Sequence, residues 1–84
     1  MPSESEIISE IEGIVLHYPS WTIGITDEPD RRKREHGNPA RWYQWYAVTE
    51  SSARRIERHF LNKGMNGAPG GGISPSYVYI FMQP

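Results

Sequence analysis

The sequence predicts an α/β (α+β) domain: a small three-stranded sheet flanked by about three helices, in the order α-β-α-β-α-β. Apolar residues recur at helical spacing near the N-terminus and again over 50–63. Three runs rich in β-branched and aromatic residues, 21–26, 41–49 and 76–82, read as strands. At 84 residues the chain, read as one domain over 1–84, has room for one core and no second.

Ser3 followed by Glu6 has the spacing of a capping box. Ile7, Ile8, Ile11, Ile14, Val15 and Tyr18 then line one helical face, with Glu10 and Glu12 opposite. Tyr18-Pro19-Ser20 ends this helix. Trp21–Thr26 is the first strand, and its Gly24 permits close approach of another backbone or a ligand. A second helix runs from Pro29 to about His36, with proline suited to its first position. It has no Leu, Ile, Val or Phe, so burial cannot hold it. It is either a solvated face or one that meets a polyanion.

Residues 41–49 alternate Trp42, Gln44, Tyr46 and Val48 on one side with Tyr43, Trp45 and Ala47 on the other. Two apolar or aromatic faces suit a central strand covered on both sides. The other reading is an aromatic platform for nucleic-acid bases. Thr49 caps a third helix, from Glu50 to about Lys63, that Gly64 stops. The glycine-rich loop 64–72 lacks the lysine and hydroxyl of a phosphate-binding loop and reads as a crossover. The last strand, 76–82, puts Tyr77, Tyr79 and Phe81 on one side and Val78, Ile80 and Met82 on the other.

The absence of cysteine excludes disulfides, thiolate metal sites and a thiol nucleophile. No apolar run approaches the roughly 18 residues that span a bilayer. The acidic, polar N-terminal residues do not make a signal peptide, so a cytoplasmic location and no membrane partner are expected. The net charge of −1 hides a division. Residues 1–30 carry seven acids and no Lys or Arg, whereas residues 31–63 carry nine bases and three acids, a net of +6. The two parts either neutralise each other in the fold or leave a charged face.

The third helix holds a misplaced charge. On a wheel of about 100° per residue with Ala53 at zero, Ile56 falls at about 300°, Phe60 at about 340° and Leu61 at about 80°. These define the apolar stripe, and Glu57, at about 40°, falls inside it. A carboxylate there is costly unless it is paired or holds a metal. One reading makes Glu57 a structural salt-bridge partner, for instance of Arg32; the other makes it a ligand.

Two segments resemble the GIY-YIG endonuclease family, in a divergent or circularly permuted form. Residues 22–36, TIGITDEPDRRKREH, look like that family's second-strand motif running into its first helix, with Arg32 eight residues after Gly24, where the family has its catalytic arginine. Residues 49–57, TESSARRIE, resemble the later helix in which an alanine precedes the metal-binding glutamate by four; Glu57 takes that place. The likeness covers about residues 21–63. Thr22 stands where the family has the motif tyrosine, Lys33 replaces an apolar anchor, and no clean first-strand motif precedes them. The C-terminal strand, pairing beside residues 21–26, would supply Tyr79 or Tyr77 from the other end of the chain.

The resemblance implies metal-dependent hydrolysis of nucleic-acid phosphodiesters, of DNA rather than RNA. Glu57 would hold one Mg²⁺ or Mn²⁺, Arg32 would clamp the phosphate, and Tyr79 or Tyr77 would orient or deprotonate the attacking water. His36 would contact phosphate or act as base. Arg31, Lys33, Arg34, Arg54, Arg55 and Arg58 would meet the phosphate backbone. Specificity would then come from a homo-oligomer or a partner protein. The alternative is a catalytically silent relative that binds nucleic acid or protein.

Overall fold

The computed structural model describes residues 2–68 and 72–82. Helix α1, Glu4–Ile14, opens on the expected capping box: the Ser3 hydroxyl accepts from the Glu6 amide at 3.2 Å and Glu6 Oε1 accepts from the Ser3 amide at 2.9 Å. It stops four residues short of Tyr18, because Gly13 weakens the last turn and Val15 adopts an extended conformation. A single 3₁₀ turn at Tyr18–Ser20 then leads into strand β1, Trp21–Thr26. Helix α2 is Pro29–Glu35, β2 is Arg41–Tyr46, α3 is Glu50–Leu61, β3 is Asn66–Gly67 and β4 is Tyr77–Met82.

Among the described residues the sheet has four strands in the order β2-β4-β1-β3, one more than the sequence predicts. The extra strand lies within the glycine-rich segment, where Asn66 and Gly67 pair in parallel with Thr22 and Ile23. The Asn66 side chain also donates to the carbonyls of Pro19 and Trp21, pinning the crossover to β1. Of loop 64–72, residues 69–71 lie outside the described residues.

The central strand is β4, antiparallel to both β1 and β2, so that Tyr79 sits between Gly24 and Gln44. The expectation of a central, doubly covered strand at 41–49 is corrected: β2 is an edge strand and ends at Tyr46. Val78, Tyr79, Ile80 and Phe81 are all buried, and such a run, apolar on both faces, takes the middle of the sheet. The Trp, Tyr and Gln side chains of β2 have both an apolar body and a polar tip and tolerate half-exposure at the rim. Beyond it, Val48 has φ 72° and closes a three-residue turn, with the Thr49 amide bonded to the Ala47 carbonyl at 2.8 Å. This turn aims Thr49, whose side chain accepts from the Ser52 amide, as the N-cap of α3.

One face of the sheet is the main core. Trp21, Ile23, Ile25, Val78 and Ile80 pack against Ile7 and Ile11 of α1 and Ala53, Ile56 and Phe60 of α3. Leu61, placed by the wheel on the same stripe, is 39% exposed; it is the last helical residue and lies on the stripe's margin. The opposite face carries Trp42, Tyr79, Phe81 and Ala68 under α2. Helix α2 has no buried residue, as its composition requires.

The two charged parts of the chain meet. Arg55 bonds Glu4, Lys63 bonds Glu12 and Arg54 bonds Glu50. Arg54 and Arg55, expected at a phosphate-binding face, are thus tied to acids: Arg55 because α3 packs beside acidic α1, Arg54 by its spacing of four from Glu50 on α3 itself. Among the described residues no helix is long and apolar enough to cross a membrane.

Candidate active site

The second face of the sheet gathers side chains from three elements around one phenol. Tyr79 leans from β4 across β1 at Gly24, where a Cβ would fall on the tyrosine hydroxyl and Cζ. The strand glycine therefore makes room for a side chain of the same chain, not for a backbone or ligand. At the end of β1 the buried Thr26 hydroxyl accepts from the Glu28 amide at 3.0 Å, turning the chain into α2. One helical turn then places Arg32 and His36 on the side facing the sheet.

Arg32 Nη2 donates to the Tyr79 hydroxyl at 3.4 Å, and His36 Nε2 lies 3.1 Å from the same oxygen. Arg32 also donates to Glu35 at 2.9 Å. The His36 ring packs on Phe81 with centroids 4.5 Å apart. Trp42 stacks on Tyr79 from the β2 side, 4.5 Å away and 11° from parallel. Its place against the Tyr79 ring depends on β2 lying beside β4, which no local sequence pattern reveals.

Glu57 approaches from α3. Its carboxyl is partly buried and makes no hydrogen bond or ion pair with any described residue. Burial pushes its pKa up, against the opposing pull of Arg54 and Arg58. Its charge reaches the Tyr79 hydroxyl. That phenol is pushed above its ordinary value first by burial, with Glu57 and Glu35 adding to the rise and Arg32 opposing it. Burial and the Arg32 charge both hold His36 below the ordinary imidazole value, with Glu35 opposing, so it is neutral at pH 7. Burial works against the Arg32 charge, but hydrogen bonding to Tyr79 and Glu35 outweighs it and keeps the guanidinium protonated.

Arg32, His36 and Tyr79 are thus brought together, with Glu57 within electrostatic reach. Tyr77 is not part of the group; it pairs with Tyr46 further along the same face, ring centroids 5.1 Å apart. Arg31 is held between Glu28 and Glu35, while Lys33, Arg34 and Arg58 form no ion pair among the described residues. No cluster of three or more His, Cys, Asp or Glu capable of holding a metal occurs among the described residues. A half-buried carboxylate without a partner among the described residues suits an ion that completes its shell with water and phosphate oxygens. Comparison with family models, curated proteins and solved structures gives no match to this chain.

Gly24→Ala provides a direct check on the packing. The methyl must displace Tyr79, and overpacking of this kind costs about 1–3 kcal/mol. Urea denaturation is expected to show that loss.

Proposed function

We propose that this protein is a metal-dependent endonuclease hydrolysing phosphodiester bonds of nucleic acid, DNA in the first instance. The observation that carries the reading is the convergence of Arg32 and His36 on the Tyr79 hydroxyl, with Glu57, which forms no hydrogen bond or ion pair among the described residues, within electrostatic reach. This combination provides a cation for a phosphate, an acceptor for a proton, and a carboxylate without a partner among the described residues.

The hydroxyl has two neighbours and they differ in kind. Arg32 can only donate, so the Tyr79 oxygen accepts from it. The Tyr79 proton then points at His36 Nε2, provided the imidazole carries its own proton on Nδ1. Once substrate binding has uncovered the Tyr79 hydroxyl, which the fold buries, water attacking phosphorus gives its proton to the Tyr79 oxygen as Tyr79 passes its own to His36. The new P–O bond forms as the ester P–O bond breaks, and the leaving oxygen takes a proton from solvent. His36 is the base and Tyr79 the relay, which suits a phenol too weakly acidic to be ionised at neutral pH. Arg32 faces the negative charge that grows on the phosphoryl oxygens. Glu57 would hold Mg²⁺ or Mn²⁺, an ion that polarises the phosphate and stabilises the leaving oxygen.

The test is nicking of labelled DNA with Mg²⁺ or Mn²⁺ and with EDTA. Cleavage is expected only with the metal and is expected to fall about 10²–10⁴-fold in Tyr79→Phe. The rate is expected to rise with pH through a midpoint below about 6.5, the ordinary imidazole value, as His36 loses its proton. Salt-sensitive binding without any cleavage would favour the silent binding module instead.

A further inference from the structure

The exposed half of the second sheet face has no role in the proposed hydrolysis. Beyond α2 it presents Gln44 and Tyr46 from β2 and Tyr77 from β4, with Tyr46 37% exposed and Tyr77 partly so. Tyr46 and Tyr77 form a pair, and Trp42 stacks directly on Tyr79. The strip therefore runs from two open phenols to the hydroxyl that Arg32 and His36 address. Along β2, Trp42 and Tyr46 are about 13 Å apart, the length of four strand residues.

Charge narrows the occupant. Residues 36–49 and 64–82 contain no Asp or Glu. Lys33 and Arg34, neither in an ion pair among the described residues, lie on α2, which borders the strip. A surface of rings and hydrogen-bonding tips bordered by cations fits a polyanion whose own rings are accessible. In a duplex the base faces are buried in the stack, so aromatic side chains can use them only where strands are unpaired.

We infer that this strip binds single-stranded nucleic acid: Tyr46 and Tyr77 stack unpaired bases and feed the adjoining phosphate past Gln44 to Tyr79 and Arg32. This deepens the nuclease reading by naming its substrate class, and it rests on that reading for the identity of the polyanion.

The experiment is fluorescence anisotropy of a labelled 12-nucleotide single strand and of its duplex, in EDTA so that cleavage plays no part. The single strand is expected to bind at least tenfold more tightly than the duplex. Tyr46→Ala and Tyr77→Ala are each expected to weaken single-strand binding about tenfold. Tyr46→Leu, which keeps an apolar edge-strand residue but no ring, is expected to lose as much, and Tyr46→Phe to retain binding. Circular dichroism checks each variant's fold. Equal affinity for duplex and single strand, or wild-type binding by Tyr46→Leu and Tyr77→Ala, overturns the inference even if the protein cleaves DNA. A change from dimer to monomer in Tyr46→Ala with unaltered nucleic-acid binding also overturns it and makes the strip a protein interface. Ring-dependent single-strand binding without metal-dependent cleavage upholds the inference and defeats the nuclease reading.

Discussion

Glu57→Gln is expected to reduce metal-dependent cleavage at least 10³-fold while leaving the fold as stable as before, or more so. A neutral amide of the same shape cannot replace a carboxylate as ligand to a hard divalent cation. Stability should move the other way, because burial raises the Glu57 pKa and no described residue pairs with the charge. A carboxyl raised in this way binds more protons folded than unfolded. Stability therefore falls as pH rises from the ordinary glutamate value of about 4.3 through the raised native value, and at neutral pH the fold carries the cost of an ionised Glu57. Glutamine removes that cost. Urea denaturation of both proteins across pH 4–8 is the measurement, and the wild-type slope assigned to Glu57 is expected to vanish in the variant. A large stability loss in Glu57→Gln would instead assign the carboxylate a structural role.

The second large effect is expected at Arg32. Arg32→Ala removes the cation bonded to the Tyr79 hydroxyl, and loss of one preorganised charge-stabilising donor costs about 10²–10³ in rate. Arg32→Lys is expected to recover little, since a lysine ammonium lacks the planar fork that reaches both Tyr79 and Glu35. The Arg32 charge is also one cause of the lowered His36 pKa. In Arg32→Ala the His36 imidazole is therefore expected to titrate at higher pH, and the acid limb of the residual activity to shift with it. An NMR titration of His36 reads this directly, with no substrate present. An unshifted His36 would mean that Arg32 and His36 are not the electrostatic neighbours described.

The parts of this molecule that are legible in its sequence are those decided over a few residues. The Ser3–Glu6 capping box, Pro29 opening α2 and Thr49 capping α3 all rely on groups within one helical turn. Glu57 was legible for a related reason: one charge interrupting an apolar stripe is an anomaly visible on a single helix. What was not legible is set by residues far apart. Nothing within 41–46 tells that β2 lies at the rim, because its neighbour is chosen by the greater apolarity of 78–81. The pairing of Arg55 with Glu4 crosses 51 positions, so the free and the neutralised arginines cannot be sorted by composition. The short β3 rests on two residues and has no pattern to read. Tyr79 lies between these cases. The alternation of 76–82 put Tyr77 and Tyr79 on one side, and the register with β1 decides that Tyr79 alone crosses Gly24.

The position of β4 between β1 and β2 also has a temporal consequence. As the chain leaves the ribosome, β1 and β2 emerge first and find no partner in each other, since the strand that joins them follows more than thirty positions after β2. No local hairpin can stand in for it, so sheet assembly waits for residues 77–82 and proceeds by insertion, a slow step dominated by distant pairings. Until then Tyr79 is not in place and Arg32 and His36 have nothing to converge on. A partly synthesised chain thus lacks the arrangement around Tyr79, which forms only when residues 77–82 join the sheet.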